Sequence, residues 1–462
     1  MRRRLLSCGL ALGLGVPSVE AAPPLPLDLR QALQLALQHY PAIVAAEQRL
    51  VAARAGVALE RSRFLPRTDL LWQDNFASDN NITGLLLPQG VLPAISGPVL
   101  PRDSVAGAWG SAAGALFSWE PFDFGVRRAG VAAAQAGTRR ADALLELTRL
   151  DVAAAAGQAF LVALAAQEQV RAAQADVQRR TVFSNTVQVL VTNELRPGAE
   201  GSRAAAELAV ARTRLAEAQE QAEEAGLQLA DRLGMAGVAL RALPNGLAGL
   251  PDAPAAVPDL ASHPLARAAQ AAVQQAEARE TAAAHAYAPH FALQGAAFGR
   301  GSGVRADGTR RGGVHGLGLQ RENWALGLTV SFPLLDFAAA RAGRDSARAA
   351  RTEQQADRAL TEQALTTAQA RAAARWRGAR AVADNLPAQL QAARLSEQQA
   401  RARFQAGLGT ALEVAEAQRL LVEAETEAAL AHLAVWRARL GVALAQGDLQ
   451  PFLQLLPPEV NH

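Results

Sequence analysis

Lysine is missing from this 462-residue chain, so arginine supplies all 46 of its basic side chains. The 43 acidic residues are interspersed among them and leave a formal net charge of only +3. A protein that binds nucleic acid concentrates its basic residues on one face, and the sequence shows no such concentration. We interpret the exclusive use of arginine as a compositional bias and expect no nucleic-acid partner.

Cysteine is almost absent as well, since Cys8 is the only one. The chain therefore has no disulfide framework and no cysteine-rich metal motif. It also lacks the HExxH, GxSxG and P-loop patterns. The seven histidines are scattered along the chain, whereas a metal site needs convergent ligands. We expect no catalytic residue, no metal and no cofactor, and therefore no enzyme.

Aromatic residues make up only 5% of the chain although half of it is hydrophobic, and alanine accounts for much of the difference. Alanine is the best helix former and buries little area, so the composition favours long, closely packed helices. No stretch after the N-terminus approaches the roughly 20 uninterrupted apolar residues of a transmembrane helix. The sequence predicts long helices that do not cross a membrane.

Residues 1–21 have the pattern of an export signal. Three arginines at positions 2–4 precede the apolar segment 5–16, and the Val-Glu-Ala of residues 19–21 has the small residues of a cleavage site. Most of this apolar segment follows Cys8 instead of preceding it, so no lipid anchor is expected. The sequence predicts an exported chain whose mature form has no cysteine.

A strand pattern runs over residues 324–332, where large apolar residues alternate with small or polar ones. Similar patterns occur at 109–119 and, in shorter form, at about 68–76 and 291–298. Long polar helices leave little core for such strands to pack on. The large side chains of the last strand are therefore expected to face lipid. They are Trp324, Leu326, Leu328, Val330 and Phe332.

The chain is predicted to be an internal duplication. Residues 118–125 (SWEPFDFG) correspond to residues 331–338 (SFPLLDFA) at an offset of 213. We divide the chain into a signal peptide (1–21), a first repeat (22–236, with a helical hairpin at 124–233), a linker (237–262), a second repeat (263–446, with a hairpin at 337–445) and a C-terminal tail (447–462).

Each hairpin is expected to have arms of about 50 residues, or roughly 75 Å at 1.5 Å per residue. We place the first turn at 168–176 and the second at 384–387. Two interruptions of the helical pattern, at 193–198 and 404–410, are assigned to breaks in the second arms.

Four amphipathic strands cannot close a barrel alone, and lipid does not tolerate an open sheet edge. Membrane barrels begin at about eight strands, so a lipid-facing sheet requires two or three copies of the chain. The predicted fold class is an α+β membrane protein in which an oligomeric β-barrel is continued by long helices.

The order of these motifs resembles the TolC-like outer-membrane efflux proteins, the outer membrane factor family. The resemblance covers nearly the whole chain. It rests on features that occur twice: an aromatic or histidine residue before proline, an Asp-Phe pair between strand and helix, a break in the helical pattern and a Leu-Gly ending. The matching segments are Tyr40-Pro41 and His263-Pro264, Asp123-Phe124 and Asp336-Phe337, residues 196–198 and 404–410, and Leu233-Gly234 and Leu440-Gly441.

The resemblance implies a homotrimer with a 12-stranded barrel in the outer membrane, four strands per chain, and an α-helical barrel of coiled-coil hairpins across the periplasm. It implies a passive exit duct of a tripartite efflux or type I secretion system. An inner-membrane pump would supply the energy, and a periplasmic adaptor would meet the hairpin tips. The cargo, whether drug, metal ion or secreted protein, stays open.

The best-known member of the family closes its periplasmic end with aspartates near the second hairpin tip. In the corresponding stretch here only Asp384 and Glu397 are acidic, and these are the expected gate residues. At the strand-to-helix junctions, Asp123 and Asp336 are expected to cap the helices that follow.

Two other functions are weighed against the duct. A periplasmic adaptor also has long hairpins, but it carries a single hairpin between lipoyl-like and barrel domains, whereas this chain has two hairpins and four strands. A periplasmic hydrolase would need a polar catalytic constellation, which the sequence lacks.

Overall fold

The structure is a computed structural model that describes residues 24–78, 105–247, 249–254, 259–305 and 307–457. The expected signal peptide and most of the loop between the first two strands lie outside these residues. In chain order the elements are β1 (Leu25–Leu27), α1 (Leu29–His39), α2 (Pro41–Ser62), β2 (Arg67–Ser78), β3 (Gly107–Phe122), α3 (Val126–Thr192), α4 (Gly198–Arg232), β4 (Leu240–Ala242), α5 (Pro264–His285), β5 (His290–Ser302), β6 (Arg321–Ser331), α6 (Phe337–Gln405), α7 (Ala411–Gln446) and α8 (Gln450–Leu453).

The four long strands form one antiparallel sheet in the order β2-β3-β5-β6. Strands β2 and β6 are therefore its edges, and neither edge pairs with another strand of the described residues. The last strand begins and ends earlier than its sequence pattern suggested, so Phe332 lies one residue beyond it. A sheet open on both sides is incomplete by itself, because each edge presents unpaired backbone groups.

The two hairpins turn at the interruptions of the helical pattern, and the predicted turn positions are wrong. Helix α3 continues through residues 168–176, which contain no glycine or proline, and α6 continues through 384–387 with Pro387 inside it. Proline inside a long helix can bend it without ending it. The chain reverses instead between Thr192 and Gly198, and again between Gln405 and Ala411.

The hairpin arms are unequal, so the expectation of two arms of about 50 residues is also wrong. Helices α3 and α6 have 67 and 69 residues, or about 100 Å each at 1.5 Å per residue. The return helices α4 and α7 have 35 and 36 residues, about half that length. Helices α2 and α5, of 22 residues each, pack beside the remaining part of the long helices.

The main hydrophobic core lies where α1 and the ends of α4 and α7 meet the middle of α3. Gly157 on α3 allows this close packing, because a Cβ there would lie 2.9 Å from Leu440 Cδ2. The C-terminal tail closes the core, since the Arg30 guanidinium donates hydrogen bonds to the carbonyls of Leu456 and Pro457. The largest fully buried side chains of this core are Leu29, Phe160, Leu164, Leu229, Leu233, Leu440 and Phe452.

The described part of the linker between the repeats contributes β4, which pairs in parallel with β1. It also binds α7, because Trp436 Nε1 donates to the carbonyl of Gly249 at 2.9 Å and His432 Nε2 lies 2.6 Å from the carbonyl of Leu247.

Two helices, α3 and α7, each contain a stretch long and apolar enough to cross a membrane by length and composition. Half of the stretch in α3 and 44% of that in α7 are buried inside the protein. Their alanine content gives both helices this composition and serves close helix packing.

Candidate functional site

Large apolar side chains cover one face of the four-stranded sheet, which we call the outer face. The strand register places Leu70, Ala115, Ala297 and Trp324 in one row across it. The residues expected to face lipid are all exposed in the single chain: Trp324 (81%), Leu326 (69%), Leu328 (65%), Val330 (55%) and Phe332 (45%).

The outer face continues on β2, which sequence reasoning missed. Leu70, Trp72 and Phe76 are exposed there. Leu71 interrupts the alternation of large and small residues, and Asp74 adds a carboxylate to the same face, so the period-two signal is weak. Trp72 Nε1 donates to that carboxylate at 2.8 Å.

The opposite face, called the inner face below, carries smaller and more polar side chains. One of its rows consists of Leu71, Gly114, Phe298 and Asn323. Phe298 lies over Gly114, where a Cβ would be only 2.4 Å from the phenylalanine Cβ. The missing side chain of Gly114 therefore makes room for the one large ring on this face.

Asp123 organises the junction between β3 and α3. Its carboxylate accepts hydrogen bonds from the backbone N–H groups of Gly125 (3.1 Å) and Arg127 (2.8 Å) and from Arg127 Nε (2.7 Å). Burial would raise the pKa of this carboxyl, but the hydrogen bonds from Arg127 and Gly125 outweigh it and hold the pKa below its ordinary value. The same guanidinium donates to the carbonyl of Arg63 at 2.9 Å and lies 4.9 Å from the centre of the Phe64 ring.

Asp336 lies at the equivalent position of the second repeat and directly precedes α6. Its side chain accepts no capping hydrogen bond. Position 340, equivalent to Arg127, is an alanine. The expectation that both aspartates cap a helix is therefore wrong at Asp336, because the arginine that orients the carboxylate is present only in the first repeat.

Aromatic side chains complete both junctions. In the second repeat the Tyr287 hydroxyl donates to the carbonyl of Leu334 at 3.2 Å, and its ring lies 5.2 Å from that of Phe332. In the first repeat Trp119 Nε1 donates to the carbonyl of Phe64 at 3.0 Å. Strands β3 and β6 therefore each pass into a helix through a junction held by hydrogen bonds, which we call a bonded corner.

The two hairpin turns share one backbone geometry. Glu194 and Gly407 have left-handed φ angles of 62° and 77°. The N–H groups of Leu195 and Leu408 each donate at 2.9 Å to the carbonyl five residues earlier, as in a Schellman motif. Glu194 and Gly407 are separated by 213 residues, and so are Leu195 and Leu408. The two strand-to-helix junctions have the same separation. That common offset is the signal that could have located the turns from sequence.

The two hairpin tips of one chain contact each other. The Arg196 guanidinium lies 4.8 Å from the centre of the Phe404 ring, and that ring lies 5.3 Å from Phe183. Leu195 and Leu408 remain 68% and 73% exposed at the ends. The buried side chains around this contact are Val187, Ala204, Ala411 and Val414.

Ion pairs connect α3 to both return helices above the tips. Arg180 is buried and pairs with Asp176 on its own helix at 3.0 Å and with Glu207 on α4 at 2.8 Å. The preceding residue, Arg179, pairs with Glu425 on α7 at 2.9 Å. Movement of either return helix away from α3 would break these contacts.

Asp384 and Glu397, the expected gate residues, lie inside α6 and not at its end. Helix α6 ends at Gln405, so the two residues are about 30 Å and about 12 Å from the turn at 1.5 Å per residue. Asp384 is exposed and pairs with Arg380 on the same helix at 3.2 Å. Glu397 is only 8% exposed. The structure does not bring these two carboxylates together.

His263 directly precedes α5 as its N-cap and is 5% exposed. Its Nδ1 accepts the Leu265 N–H at 3.0 Å, and its Nε2 lies 3.2 Å from the carbonyl of Leu444. Burial lowers the pKa of His263, although Leu444 and the nearby Asp151 act in the opposite direction. Within the described residues no group of three or more His, Cys, Asp or Glu side chains could hold a metal ion.

Several solved structures share this fold over most of their length. VceC of Vibrio cholerae is 19% identical with a TM-score of 0.71, and the match covers 91% of this chain and 96% of VceC. The outer membrane channel CmeC of Campylobacter jejuni is 18% identical (TM-score 0.72, 91% and 85%). The MtrE outer membrane channel of Neisseria gonorrhoeae, in its open state, is 21% identical (TM-score 0.69, 91% and 89%). The fold is that of an outer-membrane channel.

The family follows from the sequence itself. Residues 32–235 and 259–448 both match the profile of the outer membrane efflux protein family, and the chain belongs to that family. The double match agrees with the internal duplication. A search of the curated proteins gives no match.

The protein is therefore an outer-membrane exit duct of a tripartite efflux system and not an enzyme. It is a homotrimer whose three sheets form one 12-stranded barrel in the outer membrane, with the helices forming a tunnel in the periplasm. Its partners are a periplasmic adaptor and an inner-membrane pump. The alternative that the chain is itself the adaptor is wrong.

Proposed function

We propose that the trimer conducts cargo passively through one continuous lumen. The strands of the barrel wall continue directly into the helices of the tunnel wall. The bonded corners between strands and helices carry this proposal. Strand β3 is followed by α3 after three residues, and β6 by α6 after five. The Asp123–Arg127 pair holds the first corner at 2.7 Å. A junction fixed in this way holds the helices of the tunnel in line with the strands of the barrel.

Purified trimers inserted into a planar lipid bilayer test the duct. We expect discrete conductance steps, and larger steps from Arg196→Ala, which removes the contact between the hairpin tips. If neither the wild type nor Arg196→Ala conducts after insertion, the proposal is contradicted.

We propose that the outer face of the sheet contacts lipid, with Leu328 near mid-membrane and Trp324 and Phe332 towards the two boundaries. Aromatic girdles of this kind flank the apolar band of membrane barrels. The helices join one end of the sheet, so the loop between β5 and β6 lies outside the cell. A cysteine at Thr309 should react with an impermeant maleimide on intact cells, and one at Glu194 only after the outer membrane is permeabilised. The reverse pattern would invert the topology.

We propose that the repeats are bounded as the sequence suggests, at 22–236 and 263–446, with 237–262 as linker. The common offset between the junctions and between the tips supports one unit duplicated. The pairing of β4 with β1 supports a linker that closes the first repeat. Protease sites engineered into the linker should be cut more slowly than a site at Thr309, because the linker is bonded to α7.

We propose that Asp384 and Glu397 contribute negative charge to the periplasmic part of the tunnel. Three copies of each surround the axis of the trimer. Asp384→Asn and Glu397→Gln should lower the cation preference of the pore. Asp345→Asn, near the opposite end of α6, is the control. Unchanged ion selectivity in both variants would remove these residues from the gate.

We propose that the adaptor contacts the tips through Leu195 and Leu408. They are the exposed apolar residues at the turns, and they lie beside the rigid Arg196–Phe404 contact. An exposed apolar side chain gains free energy when a partner buries it.

A further inference from the structure

Four arginines line one cavity at the end of the sheet away from the helices. Arg300, Arg305, Arg311 and Arg321 surround a volume of about 610 Å³, and Asp307 is the acidic residue among its lining side chains. The whole chain has a net charge of only +3. This corner of the barrel therefore concentrates positive charge that is balanced elsewhere in the molecule.

The strand register places two of these arginines side by side on the inner face. Arg300 and Arg321 are direct partners across β5 and β6. Their row continues through Ala112 on β3 to Gln73 on β2, on the face opposite Trp324. Like charges directly opposite each other destabilise a sheet, so the pair needs a compensating group.

The described residues leave one buried nitrogen of this pair without a hydrogen-bond partner. Arg300 Nη1 is shielded from solvent and has no hydrogen-bond partner among the described residues. Asp307 compensates Arg305 in part, but its carboxylate also accepts the Thr309 N–H at 2.8 Å and the Thr309 hydroxyl at 2.6 Å. Buried polar atoms are normally paired, so an unpaired guanidinium nitrogen beside a second arginine indicates a site for an anion.

We propose that this cavity binds oxyanions, that is, small solutes carrying phosphate or carboxylate groups, as they leave the duct. The proposal rests on the duct function and extends it to a substrate class. The guanidinium fork matches the geometry of phosphate and carboxylate and binds them through two parallel hydrogen bonds. Three copies of the cavity around one lumen would focus the field on the exit path.

The position of the arginines favours a dissolved anion over a lipid headgroup. Membrane lipid contacts the outer face, whereas Arg300 and Arg321 share the inner face with Ala112 and Gln73. Phosphate binding should therefore persist in detergent and in bilayers that contain no phosphorylated outer-leaflet lipid. Binding seen only when such lipid is added would assign the cavity to the lipid and overturn the proposal.

Equilibrium dialysis of the detergent-solubilised trimer against radiolabelled inorganic phosphate is the first test. We expect saturable binding that weakens about tenfold or more in Arg300→Gln/Arg321→Gln, as for the loss of charge-assisted hydrogen bonds. Arg67→Gln is the matched control. Arg67 lies on the same face at the other end of β2, and Asp69 pairs with it at 3.0 Å. Equal binding by wild type and the double variant, or no saturable binding, overturns the proposal.

Reversal potentials across a bilayer in a potassium chloride gradient give a second test. The double variant, which removes two positive charges from each chain, should shift the selectivity towards cations by more than Arg67→Gln, which removes one. A trimer that conducts but binds no phosphate overturns the anion site and leaves the duct intact. A trimer that gives no conductance counts against the duct. The dialysis experiment then still tests whether the cavity binds phosphate.

Discussion

Leu195 and Leu408 occupy equivalent positions in the turns of the two hairpins. Each donates its N–H at 2.9 Å to a carbonyl five residues earlier, directly after a residue with left-handed φ. A duplicated chain has thus kept the same apolar residue, on the same turn, at the tip of both hairpins. In the trimer this gives six such side chains at the periplasmic end.

The first prediction concerns these leucines. Leu195→Glu/Leu408→Glu should weaken adaptor binding by about 2 kcal/mol or more, because it removes buried apolar side chains and places unpaired carboxylates in the interface. Leu195→Met/Leu408→Met keeps apolar side chains and should bind nearly as wild type. Surface-immobilised adaptor and purified trimer give the affinities, and native mass confirms that the variants are still trimeric. Equal affinities for all three proteins would place the adaptor contact elsewhere.

The second prediction concerns the backbone of the tip. Gly407 has a φ of 77°, where a Cβ costs about 1–2 kcal/mol. Gly407→Ala should therefore increase hydrogen exchange of the turn amides by about tenfold per 1.4 kcal/mol. Gly441→Ala is the control, because it lies within α7 and a Cβ there would meet nothing within 4 Å. Unchanged exchange in Gly407→Ala would show that the turn tolerates another conformation.

The third prediction uses the unequal junctions as a matched pair. Asp123→Asn leaves the buried Arg127 without its carboxylate, and loss of one partner of a buried pair costs about 3–5 kcal/mol. Asp336→Asn should cost less than about 0.5 kcal/mol, because Asp336 makes no capping hydrogen bond. The temperature at which the trimer dissociates in detergent measures both. Similar losses in the two variants would contradict the role assigned to Arg127.

The fourth prediction concerns the two faces of β6. Leu328 is the partner of Leu293 on the outer face, and Thr329 is the partner of Ala292 on the inner face. Leu328→Arg should cost about 2–4 kcal/mol at the membrane midplane, whereas Thr329→Arg should be tolerated better. Assembly into detergent-resistant trimers separates the two. Equal assembly would mean that the faces are assigned the wrong way round.

The fifth prediction is a pH dependence at His263. Its folded-state pKa is lowered from the ordinary 6.5, so the unfolded chain takes up the proton first as pH falls. The stability contributed by neutral His263 is complete above pH 6.5 and declines below it, at about 1.4 kcal/mol for each unit of pKa difference. Protonated Nδ1 could no longer accept the Leu265 N–H. Trimer dissociation temperatures between pH 7.5 and pH 5 should fall less in His263→Gln than in wild type, with His39→Gln as control.

Sequence alone determined the features that depend on local pattern. Alternation over residues 324–332 indicated a strand because side chains on a strand point to opposite faces in turn. The repeated Asp-Phe segments at residues 123 and 336 revealed the duplication, which the double family match confirms. The turns were misplaced because the interruptions at 193–198 and 404–410, where the chain reverses, were assigned to breaks within the second arms, and because Pro387 is tolerated inside α6.

Only the tertiary structure decided which residues meet. Asp123 and Asp336 look alike in sequence, but only the first has an arginine four residues later, and the structure shows that guanidinium reaching back to Arg63. Arg300 and Arg321 lie on two strands separated by a loop, and no helical or strand period relates them. Their pairing follows from the register of β5 against β6, because a shift of one residue would move either side chain to the other face.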